Sequence, residues 1–557
     1  MNFKEIYSLI PESFRKRGIL VSVSLFLRAI LDFAGVVVFI PVLAQVLEKD
    51  GTVGSVLPVA GAAMAFILVK SLLVILLSRY RSGYVFSLYT CLADSVLRKF
   101  LDRGLLFIRQ SDSFDLANKV NAVTMTFTSG ILLSFLNIMS SALLLLIILA
   151  ALFVYEPLPT LALLLVIGPF MFFYSFYVRK RMKKLGLAEN QARRGQARSV
   201  AELLRGYPEY YINGAVDRQM SAFRSSLLKV RDVRLQTESY SAASSGFMEI
   251  TVMLSIIILM MLSMSSSWGL SMTFGIFALS AMKILPSVRS IVAGWQSMQA
   301  SEYSVDMLRE ILSDDGTPWN MDTDSCAKPV FSREISLRNV SFRYGEQDGF
   351  LFRNLDLTVK KGEYVGIRGR SGVGKTTLFN LLMGFYTPEQ GGLYVDDVRI
   401  GPDNVRAWQA MIGYVPQDVF LVNGTFVENV AFGEEPSEAG RSRIEHIFRR
   451  TGLWEWVSSL PQGMDTKLAE AGNSVSGGQR QRIGIARALY KGASVLFLDE
   501  ATSSVDIGTE TEINGFISEL AGEDPSLTVI VIAHRQETLD SCRRIIDLDN
   551  MPGNHVE

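Results

Sequence analysis

The chain has 557 residues, enough for several domains, and 55 Lys and Arg balance 55 Asp and Glu. Zero formal charge removes the electrostatic case for a nucleic-acid partner, and 49% apolar residues with a mean hydropathy of +0.26 argue for a chain partly embedded in a membrane. Cys91, Cys326 and Cys542 lie too far apart for metal-ligand spacing and read as thiols in a reducing compartment, and the first apolar stretch is too long for a cleavable signal.

Residues 1–18 carry Phe3, Ile6, Tyr7, Ile10 and Phe14 at near-helical spacing, followed by Arg15, Lys16 and Arg17, and read as an interfacial helix on the cytoplasmic face. Six long apolar stretches follow, at about 19–47, 56–78, 128–154, 157–178, 243–266 and 269–292. A buried soluble core is the bland alternative, but several stretches are apolar all round for about twenty residues, the length that spans a bilayer. The segments after the second and fourth stretches are rich in Lys and Arg, including Arg79, Arg81, Arg179, Lys180 and Arg181, whereas the other connections are short and offer only Lys49. Basic segments stay in the cytoplasm, which places both termini there.

The two long cytoplasmic segments, 79–127 and 179–242, predict helices that run out of the membrane and return, each with a short tip, at 109–121 and 203–217. These tips are the expected points of contact with the C-terminal half. Within the apolar stretches stand Arg28, Asp32, Lys70, Glu249, Lys283 and Arg289. Either they neutralise one another, Arg28 and Lys70 with Asp32 and Glu249 with Lys283 or Arg289, or surplus positive charge lines a cavity for an anionic head group. Pro286, with no N–H, is expected to kink the sixth stretch.

Residues 301–334 lose the apolar pattern and read as a linker; from 335 to 557 short strands alternate with amphipathic helices, the pattern of an α/β domain. There the apolar run Tyr364–Ile367 leads into G-R-S-G-V-G-K-T-T at Gly369–Thr377 and then into a helical pattern. Glycines let backbone N–H groups close on phosphate oxygens at a helix start, Lys375 reaches the β- and γ-phosphates, and the Thr376 hydroxyl suits Mg²⁺. A bare glycine turn would not carry the full G-x-x-x-x-G-K-T spacing between strand and helix. The apolar run 494–498 ends in Asp499 and Glu500, suited to Mg²⁺ through water and to polarising an attacking water, and His534 follows a further apolar run at 528–533. A histidine at a strand end is commonly structural; its place beyond the acids favours a γ-phosphate contact.

These residues carry a resemblance. V-S-G-G-Q-R-Q-R at Val475–Arg482 resembles the signature of ABC transporter ATPases, accompanied by Gln417 in V-P-Q-D, S-S-V-D at Ser503–Asp506, His534, and Tyr344 in F-R-Y-G. The whole chain resembles a half-transporter of the exporter or flippase type: a membrane all-α bundle of six spans at 1–300, fused to an α/β P-loop ATPase domain. The resemblance implies ATP and Mg²⁺ as cofactors. It implies that Tyr344 stacks on adenine and that Gly369, Ser371, Gly372, Gly374, Lys375, Thr376 and Thr377 cradle the phosphates. Thr376, Gln417 and Asp499 would attend the metal, and Glu500 and His534 would act in catalysis. Ser476, Gly477, Gly478 and Gln479 would act on the nucleotide of a partner, so a dimer is required; with no motif degraded, a homodimer is expected over a heterodimer. Val475 stands where Leu is usual, and a C-terminal helical extension is not evident.

Fusion of both halves, and Glu470 just before the signature, point to export. Asp32–Gly35 with Pro41, and Lys283–Ser287, resemble bacterial flippases of lipid-linked oligosaccharides, which implies the bacterial inner membrane, lipid contact and an amphipathic anionic substrate. Peptide or multidrug and lipid export stays open, as does a membrane ATPase that gates flux without moving a substrate.

Overall fold

The structure, a computed structural model, describes residues 3–47, 53–264, 270–313, 329–345, 347–468, 475–499, 507–533 and 535–551. The chain divides into two compact units, one of Met1–Phe100 with Ser111–Asp315, the other of Leu101–Gln110 with Gly316–Glu557.

The first unit is helical. It begins with α1 (Phe3–Ser8), α2 (Glu12–Val37), α3 (Phe39–Leu47) and α4 (Val53–Asp102). The short helix α5 (Gly104–Gln110) falls in the second unit, and the first resumes with α6 (Ser113–Asn118), α7 (Ser134–Tyr155), α8 (Pro157–Arg205) and α9 (Tyr207–Ile212). It closes with α10 (Val216–Met264), α11 (Leu270–Ala300) and α12 (Glu302–Ser313). Between α6 and α7 the helix is widened to π hydrogen bonding over Lys119–Val123 and Thr126–Leu133.

The amphipathic N-terminal segment is shorter than its periodicity suggests. Pro11 caps a new helix, so Glu12 to Arg17 are the first turns of α2, while α1 alone buries Ile6. The first apolar stretch is also broken, at Val38, with Pro41 seated in the first turn of α3. α11 continues through Pro286.

Among the described residues, Glu12–Gln45, Leu57–Asp102, Ser113–Tyr155 and Gly275–Ala300 are long and apolar enough to cross a membrane. α8 and α10 run through 157–178 and 243–264. A 49-residue helix such as α8 is about 74 Å long at ~1.5 Å per residue, well beyond a ~30 Å hydrocarbon core. The expected extensions are thus continuous helix. Large apolar side chains face outward, among them Leu68, Leu72 and Ile75 of α4 and Ile250 and Ile257 of α10, while Lys70 is buried. Apolar outside and charged inside inverts the arrangement of a water-soluble bundle. Inside, α2, α7, α10 and α11 meet in a core of Ala29, Leu144, Ile148, Met248, Ile284 and Val288. Of the stretch read as a linker, 302–313 is α12, whose Val305, Leu308 and Ile311 are buried; residues 314–328 lie outside the described residues.

The second unit is α/β. Its strands are β1 (Glu334–Phe342), β2 (Phe352–Lys360), β3 (Tyr364–Arg368), β4 (Gln390–Val395), β5 (Val398–Arg399), β6 (Ile412–Val415), β7 (Val495–Asp499), β8 (Thr528–Ile532) and β9 (Arg544–Asp547). An antiparallel sheet runs β2-β1-β4-β5, and a five-stranded parallel sheet runs β6-β7-β8-β3-β9. Its helices are α13 (Lys375–Leu382), α14 (Val405–Ala410), α15 (Phe426–Ala431), α16 (Glu438–Arg450), α17 (Trp454–Ser459), α18 (Gly477–Lys491), α19 (Ile507–Glu523) and α20 (Gln536–Asp540). The central strands read as near-continuous Val, Ile, Leu and Phe because both faces of the parallel sheet are covered. Leu378, Phe379 and Trp408 pack on one face, and Ile483, Ile485 and Ala486 on the other.

Candidate functional site

The phosphate loop lies between β3 and α13. Gly372 at φ 84° and Gly374 at φ 103° hold backbone that side chains rarely adopt. A Cβ on Gly374 would meet Phe352 at 2.9 Å, so the position excludes a side chain twice over. Gly374 is the N-cap of α13, and the first-turn N–H groups of that helix face the loop. Lys375 is 6% exposed, and its ammonium donates to the carbonyl oxygens of Gly369 at 2.8 Å and Arg370 at 3.1 Å. Thr376 is exposed, whereas Thr377 is buried with its hydroxyl on that of Tyr344.

Sheet register brings the acidic strand end to the same edge. Asp499 pairs with Ile532, which in turn pairs with Ile367, two residues ahead of Gly369. Ligand sites in such sheets lie beyond the carboxyl ends of the strands. Asp499 is 8% exposed and accepts from the Tyr414 hydroxyl of β6 at 3.5 Å. Burial first, then the Asp499 charge, pushes the Tyr414 phenol up to about 12, so it stays a donor at neutral pH. Two residues beyond β6 stands the exposed Gln417. Glu500, His534, Ser503–Asp506 and Glu470 lie outside the described residues.

The signature opens α18. Ser476 is its N-cap, accepting from the Gln479 N–H at 3.2 Å, while the Gln479 side chain accepts from the Ser476 N–H at 3.0 Å. This reciprocal capping box presents Gly477 and Gly478 at a helix start without side chains in the way. The same chain thus holds two anion-facing helix starts, at α13 and α18.

Tyr344, 41% exposed, stands edge-on to Phe342 at 5.4 Å and to Tyr386 at 6.2 Å, leaving ring surface open to solvent. Sequence reasoning missed Tyr386, Tyr414 and Asp549. Asp549, just after β9, accepts from the Arg370 N–H at 2.9 Å and its guanidinium at 3.1 Å, bracing the loop from a distant part of the chain. No local pattern marks it; only the pairing of β9 with β3 brings it there.

The sequence model described as ABC transporter matches residues 352–503. A protein of Chromobacterium violaceum named ATP-dependent lipid A-core flippase is 30% identical over 69% of this chain and 65% of its own length. One of the same name from Chromohalobacter salexigens is 31% identical over 67% of this chain and 64% of its own. The chain therefore spans just under two thirds of the length of these relatives. The solved structure of a bacterial Atm1-family ABC exporter with ATP bound shares the fold, with a TM-score of 0.80, 21% identity, and coverage of 97% of this chain and 94% of that one. Phosphate loop, signature and paired sheets together with these matches show that the second unit is an ATPase domain of the ABC transporter family, joined on one polypeptide to a helical, membrane-like unit.

Proposed function

We propose that the chain is half of an ATP-driven exporter or flippase that pairs with a second copy of itself and couples hydrolysis to alternating access of its apolar helices. The observation that carries this reading is the presence of both a phosphate loop and a signature helix start on one ATPase unit that is continuous with long apolar helices. In the proposed site Tyr344 stacks on adenine, and the N–H groups of Gly369 to Gly374 with Lys375 hold the phosphates. Ser476 to Gln479 close on the partner's nucleotide.

Thr376, exposed at a helix start, and Asp499, nearly buried at a strand end, suit Mg²⁺, which takes few protein ligands beside phosphate oxygens. When bound, the ion neutralises charge developing on the transferred phosphoryl group. Gln417 would attend the metal beside them, Glu500 takes the proton of the attacking water, and His534 contacts the γ-phosphate.

For the substrate we infer an amphipathic lipid with an acidic head group. Asp32 of α2 is shared by three cations, Lys70 of α4 at 2.8 Å, Arg28 at 3.7 Å and Lys283 of α11 at 3.9 Å, while Glu249 pairs with Arg289 at 3.4 Å. One carboxylate cannot neutralise three cations, and surplus charge among apolar helices calls for an anion. Beside it, an apolar cleft of about 410 Å³ is lined by Phe33, Val36, Ile40, Leu152, Tyr155 and Ile276, room for an acyl chain. The name of the relatives, lipid A-core flippase, is consistent with such a substrate. The basic segments at 79–103 and 179–194 support a bacterial inner-membrane location with the ATPase domain in the cytoplasm.

Reconstitution into vesicles tests the proposal. ATP-dependent movement of a labelled acidic glycolipid is expected, with loss in Glu500→Gln. Lys70→Gln and Lys283→Gln are expected to lower lipid-stimulated hydrolysis several-fold and leave basal hydrolysis in place. ATP-gated passive flux without net lipid movement would sink the transport reading, and equal loss of basal and stimulated hydrolysis would sink the head-group site.

A further inference from the structure

A polar cavity of about 650 Å³ opens within the helical unit where α8, α10 and α11 meet the widened helix between α6 and α7. Its lining differs from that of the apolar cleft. Asn190 of α8, Gln296 of α11 and Ser301 just beyond it are buried there, and Asn118, Thr126 and Ser297 add further amide and hydroxyl groups. Asn190 is 4% exposed; its side-chain oxygen accepts from Asn118 at 3.4 Å, while its side-chain N–H groups meet no partner among the described residues. A buried donor without a partner is costly, so the cavity calls for a contents that can accept a hydrogen bond. One wall, at Thr126, Ser129 and Gly130, is π-helical, a rare geometry that concentrates at functional sites.

The charge of the lining is balanced. Arg193 donates to Glu189 at 2.9 Å and Arg234 pairs with the same carboxylate at 2.7 Å, with Glu238 as the second acid. A balanced lining gives an anion no net attraction, and an acyl chain would strand the buried amides. A neutral, hydroxyl-rich group meets both conditions, because each hydroxyl donates and accepts. Water fills such a space by default, and sugar hydroxyls reproduce the hydrogen bonds of the water they displace. The volume lies within the ~300–1,000 Å³ of small-ligand sites.

Helix α11 sets the order of the sites. Ile276 lines the apolar cleft, Lys283 faces Asp32, and Ser297 lines the polar cavity. Ile276 precedes Lys283 by about two turns and Ser297 follows it by about four, so the three lie near one side of the helix. Apolar cleft, cations and polar cavity thus succeed one another, the last two ~21 Å apart.

We propose that the polar cavity binds the neutral saccharide portion of a glycolipid whose acidic group lies at the Asp32 cluster and whose acyl chain lies in the apolar cleft. The proposal rests on the head-group site inferred above. The saccharide is a chain of several sugars, since a single ring does not reach across ~21 Å.

The test uses the full chain in detergent micelles and two phosphodiester lipids. One bears a neutral linear oligosaccharide long enough to span ~21 Å; the other bears a methyl group in its place. The readout is the lipid concentration for half-maximal stimulation of ATP hydrolysis. For the wild-type protein that concentration is expected to be about tenfold lower with the sugar-bearing lipid, the equivalent of one or two net hydrogen bonds. Equal potency overturns the proposal without recourse to any variant. Asn190→Ala is expected to raise the concentration roughly fivefold for the sugar-bearing lipid and to leave it unmoved for the methyl lipid. Gln296→Ala acts in the same way and stands in if Asn190→Ala does not fold. Equal shifts with both lipids would make these side chains structural and sink the idea. Free oligosaccharide should compete with the sugar-bearing lipid alone; equal competition against both lipids counts against the site. Lys283→Gln is the control for the underlying reading and should weaken both lipids. No effect of Lys283→Gln on either lipid removes the head-group site whatever Asn190→Ala does, and stimulation by neither lipid overturns both readings.

Discussion

Ser476 has two tasks that substitution separates. It closes the capping box of α18 with Gln479, and it is proposed to face the partner's γ-phosphate. A second capping box, Thr425 with Glu428 at the start of α15, has only the first task. Ser476→Ala and Thr425→Ala are each expected to lower the unfolding free energy by about 1 kcal/mol, the ordinary cost of a lost N-cap, as read by urea unfolding. Only Ser476→Ala should also reduce hydrolysis per folded molecule, by more than about tenfold, since a γ-phosphate contact acts in the transition state. Equal activity in the two variants would leave Ser476 as a cap and nothing more. The same scale explains why Lys375 stands out so early: a buried lysine needs acceptors, and the loop provides two carbonyls within 3.1 Å.

Elements are held by close approaches that composition does not announce. Gly186 of α8 lies against the end of α11, where a Cβ would meet the Ala300 carbonyl oxygen at 1.7 Å. Gly186→Val is therefore expected to force the helices apart and to destabilise the helical unit by about 1–3 kcal/mol or more, measurable as a lower unfolding temperature in detergent. In the ATPase unit, Asp396, in the turn joining β4 to β5, accepts from the backbone N–H groups of Ser332, Arg333 and Glu334 at 2.8–2.9 Å and so fastens the entry to β1. Partial burial pushes its carboxyl pKa up, but these three donors outweigh that and hold it below the ordinary carboxylate range. A folded pKa below the unfolded one contributes stability that is complete above the unfolded value, near ~3.9, and fades as pH falls through the folded one. Asp396→Asn is expected to flatten the dependence of unfolding on pH below about 4, whereas an unchanged slope would show that other carboxylates dominate it.

At the scale of the whole molecule, one chain holds one phosphate loop and one signature, so the shared site proposed above takes two chains. The Glu500→Gln protein with ATP and Mg²⁺ is expected to form a dimer of its ATPase domains that persists on dilution. Cross-linking from a cysteine placed at Ser476 to one placed at Ser371 should depend on nucleotide. Cross-linking that is equal with and without ATP would show association through the membrane helices alone. The shared Asp32 cluster belongs to this scale too, because α2, α4 and α11 each contribute a charge to it.

Local chemistry was enough to read the phosphate loop, the signature, the acidic strand end and the apolar stretches, since each depends on residues adjacent in sequence. Glycine spacing dictates backbone shape, and twenty apolar residues dictate a helix that avoids water. What tertiary structure alone decided was which distant side chains share a place. Three cations fall on Asp32 rather than dividing between Asp32 and Glu249, because α11 aims Lys283 at α2 and Arg289 at α10. Asp549 reaches the phosphate loop, and Arg109 reaches Tyr386. The physical reason is that partners on different elements, 179 positions apart for Arg370 and Asp549 and 277 for Arg109 and Tyr386, meet only after strands pair and helices pack, and neither periodicity nor motif spacing encodes that meeting.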